Sequence, residues 1–304
     1  MRIAGRLAAV AVVALMAAGM IVAGGSPALA AGSQAAGSQA AGSQAAGNRP
    51  GVRSPWAELA NEATGQDIWS RSSVTERPMG SITKVMTAYV VIEAGHLNRV
   101  ITVPSGITDY DAGGASTAGL RPGEKLTAMQ LLYAMLLPSG CDAAYTLATA
   151  YGAGGSRAAF IAQMNAAARK FGLTKTHFSD FSGLPYPGAY TNYSTARDLV
   201  SLGRDVMRLP LFRRIVATRS YRLAATRSHG AFVWKNLNPL LGHFPGAIGI
   251  KPGFTAAAGD CLLFAATRGK RELIGVVLHS SSSVNGLAAT ASDATALLNW
   301  GFSR

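Results

Sequence analysis

Ser81 and Lys84 stand three residues apart in the only Ser-x-x-Lys stretch of this 304-residue chain. Side chains three apart on a helix share a face, with β-carbons about 5–6 Å from each other, so the lysine can reach the hydroxyl. A serine becomes a useful nucleophile when a neighbouring base takes its proton. A lysine does that only as a neutral amine, about three units below its reference pKa, at a cost of about 4 kcal/mol. Burial beside a second cation can supply such a shift. A single Ser-x-x-Lys also arises by chance on half-exposed helices, so its meaning rests on what accompanies it.

Two other stretches accompany it. Ser139-Gly140-Cys141 comes directly after Pro138, which places the Ser139 hydroxyl on a connecting turn. Read alone, that turn is an ordinary link between helices or a cap for the next one. Lys251-Pro252-Gly253 follows the apolar run 246–250, which puts a lysine on a strand. A further Lys-x-Gly, Lys170-Phe171-Gly172, finishes an amphipathic helix and is read as structural. The Gly-x-Ser-x-Gly elbow, the His-Glu-x-x-His pair and a phosphate-binding glycine loop are all missing from the sequence. The five histidines show no metal-ligand spacing, so neither a metal nor an organic cofactor is implied.

The elements around these stretches follow from periodicity. Trp56 to Asn61 and Asp67 to Ser70 flank a turn and predict a hairpin. Ile82, Val85, Met86, Tyr89 and Val90 recur at helical spacing, predicting a helix from Gly80 to Ala94 ended by Gly95. Thr127 caps a second helix that Pro138 stops. Others are predicted over 142–151, 157–171 and, opened by a Thr195/Asp198 capping box, up to about Met207. The period then changes. The runs 246–250, 261–267 and 273–278 predict strands, the last two turned at Gly269-Lys270, before a final helix over 287–300. Strands near both termini with helices gathered between them predict an α/β (α+β) domain: one antiparallel sheet, shared by both ends of the chain, on a helical cluster.

The first thirty residues read as an export signal: Arg2 and Arg6, an apolar run over 7–22, and the small-residue site Ala28-Leu29-Ala30. Residues 31–53 read as a linker, opening with three copies of Ala-Gly-Ser-Gln-Ala that have nothing to bury. Residues 54–304 form the expected catalytic domain. The formal charge is +13, and loss of Arg2 and Arg6 would leave +11. For an exported protein, such a balance favours an anionic wall polymer or membrane surface over nucleic acid, or it only solvates the surface. Cys141 and Cys261 could pair in an oxidising compartment, but both sit in apolar or motif-bearing stretches, which argues against a bridge.

In order and separation the three motifs resemble the active-site elements of penicillin-recognising serine enzymes. The resemblance is closest to the low-molecular-mass D-alanyl-D-alanine carboxypeptidases and transpeptidases, peptidase family S11. It extends through Leu136 to Ala144, Met164-Asn165, Gly172-Leu173, Thr176-His177-Phe178, Ala196 to Leu199, and Asn236 with Asn238, covering nearly all of 56–302. It implies the β-lactamase/transpeptidase-like fold and an extracytoplasmic enzyme acting on peptidoglycan stem peptides, with β-lactams as acylating inhibitors. By the same resemblance Ser81 attacks the penultimate D-alanine, Lys84 takes its proton, and Ser139 relays a proton to the leaving nitrogen. Lys251 would attract the terminal carboxylate and help keep Lys84 neutral. Cys141, Gly253 and Phe254 would line the substrate, with Ser81 and Phe254 amides as the oxyanion hole.

The sequence departs from the family pattern twice. Cys141 stands where asparagine is usual, and a thiol is a weaker hydrogen-bonding group than an amide. Pro252 replaces a threonine or serine, removing a hydroxyl aimed at the substrate carboxylate. No second C-terminal domain or amphipathic anchor is expected. Two other readings share the fold. A β-lactamase or esterase would need a deacylating base, and the sequence has no Glu-x-x-Leu-Asn stretch to provide it. A catalytically impaired wall-binding relative would draw its main support from Pro252.

Overall fold

The computed structural model describes residues 49–109, 115–283 and 286–304, so the predicted export signal and the Ala-Gly-Ser-Gln-Ala repeats lie outside the described residues. The strands run in chain order as follows. The hairpin is β1 (Trp56–Asn61) and β2 (Asp67–Arg71). Short ladders join β3 (Arg77–Pro78) to β6 (Tyr193–Ser194), β4 (Val100–Thr102) to β5 (Lys125–Thr127), and β7 (Ser220–Leu223) to β8 (Phe232–Lys235). The three late strands are β9 (Ala247–Thr255), β10 (Gly259–Arg268) and β11 (Arg271–Leu278).

Strands β2-β1-β11-β10-β9 form one five-stranded antiparallel sheet, with Trp56 opposite Leu278 and Asn61 opposite Leu273. Both ends of the chain therefore share it, as the sequence predicts. Successive side chains of β10 go to opposite faces, as the period of a strand requires. Cys261, Leu263 and Ala265 join the core beneath the helical cluster, while Leu262, Phe264 and Ala266 join a second core. The helices are α1 (Lys84–Ala94), α2 (Ala128–Leu136), α3 (Cys141–Tyr151), α4 (Arg157–Lys170), α5 (Ala196–Met207), α6 (Pro210–Ala217) and α7 (Leu287–Phe302). Helix α7 covers the second core through Ala294, Leu297 and Leu298. Cover on both faces explains why β10 and β11 read as continuous apolar runs rather than as alternation.

The structure departs from the sequence reading at several places, the three short ladders among them. Helix α6 was not foreseen. Its eight residues bury only Phe212, Ile215 and Val216, too short a pattern to stand out, and its hold on the sheet is tertiary. Arg213 donates to both carboxylate oxygens of Glu272 on β11, at 2.8 and 2.6 Å. The Thr195/Asp198 capping box is half formed. Thr195 accepts from the Asp198 amide, but the Asp198 carboxylate binds the Lys175 amide and the Thr176 hydroxyl instead. The chain before α1 is a 3₁₀ turn over Gly80–Thr83, not α-helix. Strand β9 continues past Ile250 through the whole Lys251-Pro252-Gly253 stretch. A proline fits there because β9 is the edge of the sheet. Cys141 and Cys261 are free thiols, both buried.

Gly253 is where β9 meets the 3₁₀ turn. A β-carbon there would fall 2.6 Å from the Met79 carbonyl oxygen and 2.9 Å from the Ser81 nitrogen, backbone atoms that cannot step aside. Gly253→Ala should therefore push strand and turn apart. We expect a melting temperature lower by several degrees, measured by calorimetry. A wild-type melting temperature in that variant would show that the seam is loose.

Candidate active site

The 3₁₀ turn changes how Ser81 and Lys84 meet. In that helix positions i and i+3 eclipse one another, and Lys84 Nζ lies 2.9 Å from Ser81 Oγ. Gly80 opens the turn at φ +53°, a left-handed angle that favours glycine. Gly183 abuts the turn so closely that a β-carbon on it would collide with the Gly80 carbonyl.

Lys84 is fully buried. Its Nζ also donates to the Ser182 carbonyl at 2.7 Å and to Cys141 Sγ at 3.4 Å. No partner of the three is a carboxylate, so nothing neutralises the lysine by pairing. The Ser182 carbonyl is held by an Asx-type turn: Asp180 Oδ1 accepts from the amides of Ser182, Gly183 and Leu184 and from the Ser182 hydroxyl. Asn192 Nδ2 donates to Thr83 and the Thr87 hydroxyl to the Phe181 carbonyl, fixing this loop to the turn and to α1. The sequence reading missed Asp180 and Ser182. The available signal was Asp-x-Ser-Gly, a turn pattern with nothing in itself catalytic.

Ser139 follows Pro138, which cannot continue α2, and takes φ +65°, unusual for a residue with a side chain. The Gly140 amide donates to the Ala134 carbonyl, and a β-carbon on Gly140 would press on that same oxygen at 2.7 Å. Asp142, at the start of α3, accepts from the amides of Ala118 and Leu120, while the Cys141 amide donates to the Ser116 carbonyl. The turn is thereby held on both sides. A strained serine held this firmly is a functional candidate on structural grounds alone.

Lys251 lies fully buried on β9, with Nζ 3.1 Å from the Pro252 carbonyl. Burial pushes its pKa well below the ordinary lysine value, and the charge of Lys84 lowers it further; Cys141 acts in the opposite direction. The Ser81 and Phe254 nitrogens flank the seam between turn and strand. A β-carbon on Gly253 would lie 2.9 Å from the first, and one on Gly80 2.8 Å from the second.

Ser81, Ser139, Cys141, Lys251, Gly253 and Phe254 all line one cleft of about 500 Å³, with Lys84 directly beneath it. Every site residue named from the sequence thus converges here, although the three motifs come from different parts of the chain. Asp260, unforeseen, also lines the cleft. Its carboxyl is pushed up by burial, against the opposing pull of Ser281 and His279, and Oδ2 has no partner among the described residues. Cys261 is remote from the reaction in character: burial pushes its thiol up to about 12. Among the described residues no three metal-ligating side chains gather.

Lys251 should leave a mark on stability. Its folded pKa lies below its unfolded value, so between the two the unfolded chain binds more protons and stability rises with pH. Denaturant titrations should show a limb that climbs from the depressed folded pKa towards about 10.5, and Lys251→Met should flatten it. An identical pH profile in that variant would show that Lys251 does not carry the buried proton cost.

Comparison with known proteins bears on this constellation. Residues 43–282 match the model of peptidase family S11, described as D-alanyl-D-alanine carboxypeptidase. A D-alanyl-D-alanine carboxypeptidase of Streptomyces sp. K15 is 41% identical over 265 residues, covering 84% of this chain and 89% of the relative. A carboxypeptidase of Mycobacterium tuberculosis, DacB2, is 36% identical over 252 residues, covering 83% of each. The crystal structure of the Streptomyces K15 DD-transpeptidase superposes with a TM-score of 0.78 at 42% identity, over 84% of this chain and 99% of that one.

Proposed function

Because this chain belongs to the D-alanyl-D-alanine carboxypeptidase family, peptidase family S11, we propose that Ser81 is its acylated nucleophile and Lys84 the base that activates it. The protein is a serine-type D-alanyl-D-alanine carboxypeptidase or transpeptidase that works on peptidoglycan stem peptides and binds penicillin. The observation that carries the residue assignment is the 2.9 Å contact between Lys84 Nζ and Ser81 Oγ in a buried setting without a carboxylate. Lys84 Nζ also donates to the Ser182 carbonyl and to Cys141 Sγ, contacts that hold the amine against Ser81.

In the proposed sequence, Ser81 Oγ attacks the carbonyl of the penultimate D-alanine as its proton passes to Lys84. The Ser81 and Phe254 amides take the developing oxyanion, worth about 3–4 kcal/mol for each well-aimed donor. Ser139 passes a proton to the D-alanine nitrogen, the C–N bond breaks, and an ester on Ser81 remains. Water or a second peptide's amine then cleaves that ester. Lys251 receives the substrate carboxylate, whose negative charge favours the protonated amine that burial disfavours. A slow step after penicillin acylation is expected. The sequence has no Glu-x-x-Leu-Asn stretch to activate a deacylating water. This argues against the β-lactamase reading. The enzyme's proposed place is outside the cytoplasmic membrane, at the wall or the anionic membrane face. Among the described residues no helix is long and apolar enough to span a bilayer.

Two measurements test the assignment. Peptide mapping after penicillin treatment should find the adduct on Ser81, and Lys84→Arg should be nearly inert, since arginine cannot give up its proton. An adduct on Ser139 or within Ser280 to Ser283 would overturn the assignment of Ser81.

Pro252 leaves Lys251 and Phe254 in place on β9 but removes the hydroxyl the family aims at the carboxylate. A hydrogen bond to a charged group is worth about 1.5–3 kcal/mol. Pro252→Thr should therefore raise kcat/KM on a D-alanyl-D-alanine peptide at least several-fold. Unchanged or lower activity in the folded variant would refute this account and leave the impaired-relative reading the stronger.

A further inference from the structure

A second groove, of about 990 Å³, lies beside the catalytic cleft, and the acylation steps above make no use of it. Its wall is the end of the β7–β8 ladder, with Arg219, Ser220 and Lys235, continued by the loop from Asn236 to His243. The two cavities meet at Leu237 and Leu287, which line both. The Leu237 amide donates to the Leu137 carbonyl at 3.1 Å, two residues before Ser139. The groove therefore opens into the cleft on the Ser139 side, where the leaving amine departs and any attacking amine must enter.

Its chemistry is one-sided. Arg219, Lys235 and His243 line it, and its described lining contains no aspartate or glutamate. Arg219 and Lys235 are exposed and form no ion pair among the described residues. The floor is rigid: Asn236 Nδ2 donates to the carbonyls of Val216 and Thr218, and Asn236 Oδ1 accepts from the Asn238 amide. Asn238 is buried, and its Oδ1 accepts from the Leu240 amide, but its Nδ2 has no partner. Two cations that form no ion pair among the described residues, beside the cleft, suit a carboxylate.

We propose that this groove is the acceptor subsite, holding the carboxylates of a second peptide whose amine resolves the acyl-enzyme. The inference rests on the acyl-enzyme reading above. In the step it serves, the acceptor nitrogen forms an amide bond to the acyl carbon and the ester bond to Ser81 Oγ breaks. The amine proton returns to Ser81 through Lys84. No oxidant, metal or cofactor is needed, and charge is conserved.

The test compares two acceptors on the wild-type enzyme with an N-acylated D-alanyl-D-alanine donor. One is glycyl-alanyl-glutamate, the other its uncharged counterpart glycyl-alanyl-glutamine amide, with transfer and hydrolysis products counted by mass spectrometry. The acid should be preferred at least tenfold in transfer-to-hydrolysis ratio. Raising salt from 50 to 500 mM should shrink that preference, since exposed charges are screened over a few ångströms at the higher strength. Arg219→Gln with Lys235→Gln should bring the preference close to one, and the ratio corrects itself for any loss of total activity. Equal use of the two acceptors by wild-type enzyme that takes up penicillin overturns this inference alone, including in favour of a phosphate-bearing wall polymer as the groove's occupant. Failure of the wild-type protein to take up penicillin at all overturns the acyl-enzyme reading beneath it.

Discussion

The candidate active site depends on a contact between two pieces of backbone. Strand β9 meets the 3₁₀ turn before α1 with no side chain between them, because Gly253 and Gly80 stand at the point of approach and Gly183 closes the turn from the other side. Hydrogen-bond donors set at that distance occupy fixed positions before substrate arrives, and that preorganisation makes an oxyanion site effective. The rest of the fold maintains the seam. Strand β9 is the sheet edge, held by β10 alone within the sheet, and β10 is buried on both faces between the helical cluster and α7.

The second constraint is electrostatic. Two lysines are fully buried at the cleft, and neither forms an ion pair with a carboxylate among the described residues. Elsewhere two buried carboxylates are well compensated: Asp293 accepts from the Arg53 and Ser54 amides, Asp180 from three amides and a hydroxyl. The two cleft lysines have no carboxylate to compensate them among the described residues. The mutual repulsion and desolvation are felt on Lys251, whose pKa falls well below normal. Unfavourable burial of this kind is retained where chemistry uses it. In the proposed reading, a substrate carboxylate supplies the missing negative charge.

Two further cavities adjoin the cleft. One is the basic groove bounded by Arg219 and Lys235, which shares Leu237 and Leu287 with it. The other shares Leu184 and Ala115 with it, and there Arg157 lies over the Tyr145 ring and Asp109 joins the lining.

The legible part of the fold and of the site is local or carried by motif. The Ser-x-x-Lys spacing, the proline-stopped turn at Ser139, the late strands and the shared antiparallel sheet were all legible, because each rests on a short-range rule of period, cap or breaker. The resemblance to family S11 added the roles that spacing cannot supply. The illegible part is where long-range contact sets local form. The turn at Ser81 is 3₁₀ rather than α because Gly80 and Thr83 are held from outside, by β9, Gly183 and Asn192. Strand β9 runs on through a proline because it lies at an edge, a fact of sheet order and not of composition. Helix α6 exists because Arg213 reaches Glu272 and Val216 packs against Gly249. Asp180 matters because its turn aims one carbonyl at Lys84 from 98 positions along the chain, a distance over which no sequence pattern speaks.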